Sequence, residues 1–228
     1  MVLKSADKRL LIYGDSRSLP RGQEGIKVEN TWISHLSEKH LVYFRGHGGI
    51  TSTQIVDLFQ MDKSYFHGEQ HLLVIFFFGI VDAAPRPITY LLKSFPLQRL
   101  WSQIINRLEK FRLQIQQRFS YRVVSPRKFE RNVTKLLSIC QAYDWPCIVL
   151  GNPLPPISLE NRSPGFREST RQYNNILKKC VNEFHRVNFL TLDHFNDADF
   201  ISVVDGHHLG ISGHRRLSNC VLQEIRSF

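Results

Sequence analysis

Seven apolar residues in a row, Leu72-Leu73-Val74-Ile75-Phe76-Phe77-Phe78, place the tightest constraint on the fold of this chain. The run is too short to span a bilayer, and it lacks the polar alternation of a strand with one wet face. It reads as a strand covered on both faces, which is the situation at the centre of a parallel sheet with helices above and below. Four more strands fit around it, at residues 9–13, 41–44, 146–150 and 187–192. Helical spacing of apolar residues fills the intervals: about 30–39 with Trp32, Ile33 and Leu36 on one face, 52–61, 97–119, 129–143, a helix ending near Phe184, and a last one striped by Leu217, Val221, Leu222 and Ile225. Five strands alternating with helices predict an α/β fold with right-handed crossovers, and 228 residues suit one such domain over residues 1–228.

Hydrophobic residues at 42% and charged ones at 22% are ordinary for a globular chain and argue against disorder. Residues 1–9 hold no apolar signal core, and no run approaches the roughly 18 apolar residues of a transmembrane helix. A cytoplasmic protein without a membrane span is the expectation. Cys140, Cys147, Cys180 and Cys220 are scattered, with neither a C-x-x-C pair nor zinc-finger spacing, so free thiols in a reducing compartment and no metal are expected. Lys plus Arg number 30 against 20 Asp plus Glu, a formal charge of +10. That excess suits an anionic partner or simply a soluble basic surface. Much of it lies on helix faces: Arg99, Arg107, Lys110, Arg112 and Arg118 in the 97–119 segment, then Arg122, Arg127, Lys128, Arg131 and Lys135. No nucleic-acid-binding motif accompanies it, so nucleic acid is not the expected partner.

Chemistry-bearing residues collect where strands end. Gly14-Asp15-Ser16 follows the first strand, Gly46-His47-Gly48-Gly49 the second, Gly79-Ile80-Val81-Asp82 the third and Gly151-Asn152 the fourth; Asp205-Gly206-His207-His208 precedes the last helix. The carboxyl edge of an open α/β sheet is where ligands bind. Each string also has a plain structural reading. Ser16 after a glycine turn can be a helix cap, and the glycine-rich turn lacks the G-x-G-x-x-G spacing of a dinucleotide site.

Taken together and in order, these blocks resemble the GDSL/SGNH hydrolase family across nearly the whole chain. Residues 14–21 (GDSRSLPR) and 79–86 (GIVDAAPR) are also similar to SGNH-type proteins of bacterial surface-polysaccharide gene clusters. The resemblance implies a three-layer α/β/α flavodoxin-like fold with a five-stranded parallel sheet and acyl-ester chemistry without a cofactor. Ser16 matches the nucleophile, His208 the general base and Asp205 the acid that orients it. This is what a weak hydroxyl nucleophile requires. The oxyanion hole implied by the family uses the N–H of Ser16, the N–H of a glycine, here Gly49 with Gly48 behind it, and an asparagine side chain whose position is occupied by Val81. Losing one such donor lowers the rate by on the order of 10²–10³. Asn152 or Arg86 is a candidate replacement; otherwise the enzyme is slow on simple esters, or only binding survives. Arg17, Arg21, Arg86 and His47 are the candidate substrate contacts, the three guanidiniums being suited to a carboxylate or phosphate on the substrate. Salt bridges to Asp15, Asp82 or helix ends are the alternative use of those arginines. Asp82 is expected to fix its loop and His207 to face solvent. The functional expectation is an esterase or acyltransferase acting on an O-acetylated, anionic carbohydrate in surface-polysaccharide biosynthesis. The alternative is a module that binds polysaccharide or an assembly partner.

Overall fold

The structure is a computed structural model that describes residues 8–69, 71–87, 120–195, 200–202 and 205–228. In chain order its elements are β1 (Arg9–Gly14), α1 (Trp32–Ser37), β2 (Leu41–Gly46), α2 (Ser52–Asp62), β3 (Leu72–Phe77), α3 (Ile80–Ala83), β4 (Arg86–Pro87), β5 (Ser120–Tyr121), α4 (Pro126–Ala142), β6 (Cys147–Leu150), α5 (Ile157–Arg162), α6 (Phe166–Val181), β7 (Val187–Leu190) and α7 (Ile211–Ile225). The helix expected over 97–119, with its basic face, lies outside the described residues.

Five strands form one parallel sheet in the order β2-β1-β3-β6-β7, while β4 and β5 make a separate two-residue antiparallel ladder. This is the doubly wound arrangement in which the chain starts at an inner strand and winds outward both ways. The apolar run behaves as its composition demands, with every residue of β3 buried. Alternate side chains serve opposite layers. Leu11, Tyr13, Val74 and Phe76 pack with Phe59, Phe129 and Tyr173 from α2, α4 and α6. Leu10, Ile12, Ile75 and Phe77 pack with Trp32, Leu217 and Val221 from α1 and α7. At the sheet edge, β2 alternates exposed and half-buried residues.

Local chemistry sets the helix ends. Thr51 and Gln54 cap the start of α2 reciprocally, and the Ser125 hydroxyl caps α4 ahead of Pro126, which needs no hydrogen-bond partner at the first helical position. Two short helices follow strand ends. One is α3 within 79–87, and the other is α5, which starts once the prolines stop at Pro156. At the amino end, α1 is shorter than its apolar period because Thr31 caps it after a 3₁₀ turn at Val28–Asn30. No helix among the described residues is long and apolar enough to cross a membrane. All four cysteines are free, with Cys140, Cys147 and Cys180 buried.

The register positions the site. Gly14, the last residue of β1, is level with Gly46 on one side and Phe77 on the other, so the loops leaving β1, β2 and β3 emerge together. The first two strands approach closely at this point: a Cβ on Gly46 would lie 1.9 Å from the Gly14 carbonyl oxygen. Backbone rather than a flexible side chain blocks the space. Gly46→Ala is therefore expected to lower unfolding stability by about 2 kcal/mol or more in urea denaturation, whereas Gly22→Ala, where a Cβ meets nothing, stays near the parent.

Candidate active site

The turn after β1 is built around Asp15. Its N–H continues the sheet by donating to the Phe77 carbonyl at 3.1 Å, and its carboxylate caps the 3₁₀ turn Ser16–Ser18 by accepting the Arg17 N–H at 3.0 Å. The Arg17 guanidinium grips the same carboxylate through Nε at 2.9 Å and Nη2 at 2.6 Å, and lies 4.0 Å from the centre of the Phe77 ring. Asp15 and Arg17 are buried, and Ser16 between them is half-buried.

Residues 205–208 form the opposing piece. The three-residue spacing lets one carboxylate do two jobs: Asp205 Oδ1 accepts the backbone N–H groups of His207 and His208 at 3.1 Å each, while Oδ2 faces His208 Nδ1 at 2.5 Å. His208 Nε2 lies 2.8 Å from Ser16 Oγ. The carboxylate selects the tautomer, so Nδ1 donates to Asp205 and Nε2 accepts from Ser16. Burial pushes the Asp205 carboxyl up, but the hydrogen bonds from the His208 ring and the two backbone N–H groups outweigh it and hold the group well below the usual carboxylate range. Asp205 is thus ionised at neutral pH. Asp205, His207 and His208 also lie near enough together to offer three ligand atoms to a metal ion, but the Asp205–His208–Ser16 chain already engages both ring nitrogens of His208.

Ser16 opens on a cleft of about 340 Å³ lined by Gly49, Ile80, Val81, Arg86, Leu159, Phe166 and His207, among others. A second cavity of about 340 Å³ lies where the strands begin, between Lys8, His71, Trp145 and Arg186, and among the described residues no serine, threonine or cysteine lines it.

No protein-family model matches the sequence, and a search of curated proteins found no match. Solved structures do match over nearly the full length. A lipase/acylhydrolase from Enterococcus faecalis superposes with a TM-score of 0.63 at 13% identity, covering 96% of each chain. A GDSL-like lipase from Bacteroides thetaiotaomicron gives 0.57 at 11%, covering 96% of this chain and 88% of that one. A catalytic mutant of an acetylxylan esterase from Geobacillus stearothermophilus gives 0.60 at 14%, with 96% and 94% covered. The chain has the SGNH/GDSL hydrolase fold.

Within that fold, the residues expected from sequence divide into those at the cleft and those elsewhere. Ser16, Gly49, Val81 and Arg86 line it, and a Cβ on Gly48 would lie 3.9 Å from Ser16 Cβ. Val81 therefore contributes an apolar residue to the cleft that Ser16 opens on. Asn152, named as its replacement, is wholly buried instead: its amide donates to Asn174 Oδ1 at 3.1 Å and packs beneath Gly79, whose φ of 106° makes the turn out of β3. Arg17 is no substrate contact, because Asp15 and Phe77 enclose it. Arg21 likewise turns away from the cleft, to Glu24, Asp205 and His208. His47 is exposed with Nδ1 at 3.0 Å from the Gly48 carbonyl, off the cleft wall. His207 departs from expectation in the other direction. It is half-buried against the His208 ring, with centroids 4.2 Å apart, and burial followed by the neighbouring His208 pushes its pKa below the ordinary value. Sequence reasoning missed the cleft wall from Leu159 and Phe166, whose apolar character within a proline-rich segment was the available signal.

Asp82 fixes its loop by holding a neighbour. Its carboxylate accepts the Ser52 N–H at 3.0 and 3.1 Å and the Ser52 hydroxyl at 2.7 Å, tying the start of α2 to α3. Burial pushes the carboxyl up to about 6, against the pull of those hydrogen bonds. A carboxyl raised in the folded state contributes stability below about pH 4 and loses it as pH rises through about 6. The parent should therefore lose stability relative to Asp82→Asn across pH 4–7, by up to about 3 kcal/mol, in paired thermal melts. A pH-independent difference would contradict this account of the carboxylate.

Proposed function

We propose that this protein is a serine esterase or acyl-transfer enzyme acting on an acylated carbohydrate through an acyl-Ser16 intermediate, with acetyl as the acyl group. The observation that carries the reading is the continuous chain from Asp205 through His208 to Ser16 Oγ, with spacings of 2.5 and 2.8 Å, at the mouth of a cleft. In this reading Ser16 Oγ attacks the ester carbonyl carbon while Nε2 of His208 takes its proton, and Asp205 stabilises the imidazolium. The tetrahedral intermediate collapses as Nε2–H protonates the departing alcohol oxygen. Water, or a sugar hydroxyl, then attacks the acyl-enzyme with the same proton traffic and frees Ser16.

The backbone N–H groups of Ser16 and Gly49 serve as oxyanion donors. Val81 leaves the third place apolar, and Arg86 on the same cleft wall is the cation closest in role, suited to an anionic substituent on the sugar. The acetylxylan esterase likeness supports carbohydrate as the substrate class. Likeness of residues 14–21 and 79–86 to proteins of surface-polysaccharide gene clusters supports a role in making such polymers.

Ser16→Ala is expected to lower hydrolysis of p-nitrophenyl acetate by roughly 10⁴-fold and to abolish labelling by a fluorophosphonate. Unchanged turnover by that variant would overturn the nucleophile. The second reading, a polysaccharide-binding module with little catalysis, is favoured by Val81 alone and predicts that the parent is not labelled. Supplying the missing amide separates the two further. Val81→Asn should raise kcat on p-nitrophenyl acetate by about tenfold or more if the place beside Ser16 is an oxyanion site, and leave it unchanged if it is not.

A further inference from the structure

The turn after Ser16 carries two charged side chains that this chemistry leaves unused. Residues 21–26 close on themselves: the Arg21 N–H donates to the Ile26 carbonyl at 2.8 Å, the Ile26 N–H returns to the Arg21 carbonyl at 3.1 Å, and Gly25 makes the corner at φ 72°. Closure sets Arg21 and Glu24 side by side as an ion pair and turns both toward the loop of Asp205 and His208, with 187 positions of sequence separating Arg21 from His208. The second carboxylate oxygen of Glu24 accepts the Ser202 hydroxyl, and the Ser202 N–H donates to the His208 carbonyl at 2.8 Å. Nη2 of Arg21 lies 2.9 Å from Asp205 Oδ2, the oxygen that also faces His208 Nδ1. Nη1 lies 2.9 Å from Nδ1 and 3.0 Å from Nε2 of the His208 ring. The in-plane directions of those nitrogens are taken by Asp205 and Ser16, so an atom nearly equidistant from both lies over the ring face. A cation covers the imidazole, and a carboxylate anchors the cation.

We propose that Arg21 and Glu24 are positioning residues of the Asp205–His208 pair: the guanidinium fixes carboxylate and ring against each other, and Glu24 offsets the charge that would otherwise oppose the imidazolium. This rests on Ser16 being the nucleophile and His208 its base. An uncompensated cation at this range disfavours a second positive charge on the ring, and an uncompensated anion favours it. Among the described residues, the other charged or titratable groups near the ring are Asp205, His207, Arg17, His214 and Arg162 of α5, whose Nη2 donates to the Asp205 carbonyl oxygen at 3.2 Å. Asp205 and His207 belong to its own loop, and Arg17 beside Ser16 is paired with Asp15. His214 of α7 is pushed down to about 4 by burial and carries no charge at neutral pH. Beside Asp205, the Arg21–Glu24 pair is the charged group set directly against the ring, with Arg21 Nη1 within 3.0 Å of both ring nitrogens.

The test is the pH profile of kcat/KM on p-nitrophenyl acetate for the full-length parent, Glu24→Gln, Arg21→Gln and the double variant, beside an NMR titration of the His208 ring nitrogens in the same proteins. Glu24→Gln should move the acid limb and the ring titration down by about one pH unit and lower the plateau roughly tenfold. Arg21→Gln should move both up by a similar amount, and the double variant should return near the parent midpoint with a reduced kcat. Arg21→Lys, which keeps the charge without the fork, should hold the midpoint while lowering kcat, and if Arg21→Gln does not fold, the shift in Glu24→Gln decides the charge effect. Coincident ring titrations in the parent and both single variants overturn the proposal. A parent without Ser16-dependent hydrolysis overturns the functional reading instead, and the ring titration then decides the clamp by itself.

Discussion

Level termination of β1, β2 and β3 is the constraint on which the rest depends. Because Gly14, Gly46 and Phe77 share one register position, three loops distant in sequence leave the sheet at one height. Ser16, Gly49 and Val81 then line a common cleft without any of those loops being long. The close backbone approach at Gly46 and the Asp15 N–H bond to Phe77 hold that edge, and Asp82 carries it outward by binding the first residue of α2. The cleft thus stands on a rigid scaffold, which a reaction needing sub-ångström placement requires.

Buried and half-buried carboxylates near the sheet are consistently engaged. Asp15 has Arg17, Asp62 has Arg45 and the Tyr13 hydroxyl, Asp82 has Ser52, and Asp205 has His208 and Arg21. Burying such groups is costly, and a buried ion pair adds little net stability over apolar residues of the same shape. What it adds is direction. Asp15 and Arg17 clamp the turn from both sides of Ser16, so the hydroxyl is presented by a backbone that has no other conformation available without leaving a buried carboxylate unpaired. The same logic explains why Arg17 and Arg21 are poor candidates for meeting an anionic substrate: each has a carboxylate closer than any ligand would be. Arg86, by contrast, lines the cleft wall itself.

Much of the scaffold was legible because strands covered on both faces and helices with one apolar stripe have unmistakable periods, as in β3 and α7. The contact between Asp205 and His208 was legible because the two are close in sequence and the carboxylate's bonds to the ring and to the backbone N–H groups are local. Arg21 was not assignable for the opposite reason. Apart from Glu24, its partners Asp205 and His208 are nearly the length of the chain away, and a charged residue in a loop gives no hint of which distant carboxylate will claim it. Asn152 failed as an oxyanion candidate on direction rather than position: it stands at a strand end as expected, but its amide turns under Gly79 to Asn174. Sequence position names the edge of the sheet a residue reaches, not the side on which it lies.

Val81 gives the site its particular character. In the proposed reaction, two backbone N–H groups without a third, side-chain donor would hold the developing oxyanion, and each missing donor leaves a transition state less stabilised by some 3–4 kcal/mol. An enzyme in that position must recover rate from binding the rest of its substrate, since contacts remote from the reacting carbonyl can be spent on orientation. If the substrate is the acylated carbohydrate proposed above, a cleft walled by Leu159, Phe166 and Arg86 would meet it with apolar surface and a cation, contacts that a small activated ester is too small to make. The physical consequence is selectivity by dependence: the weaker the oxyanion hole, the more the reaction relies on a substrate large and charged enough to fill the cleft.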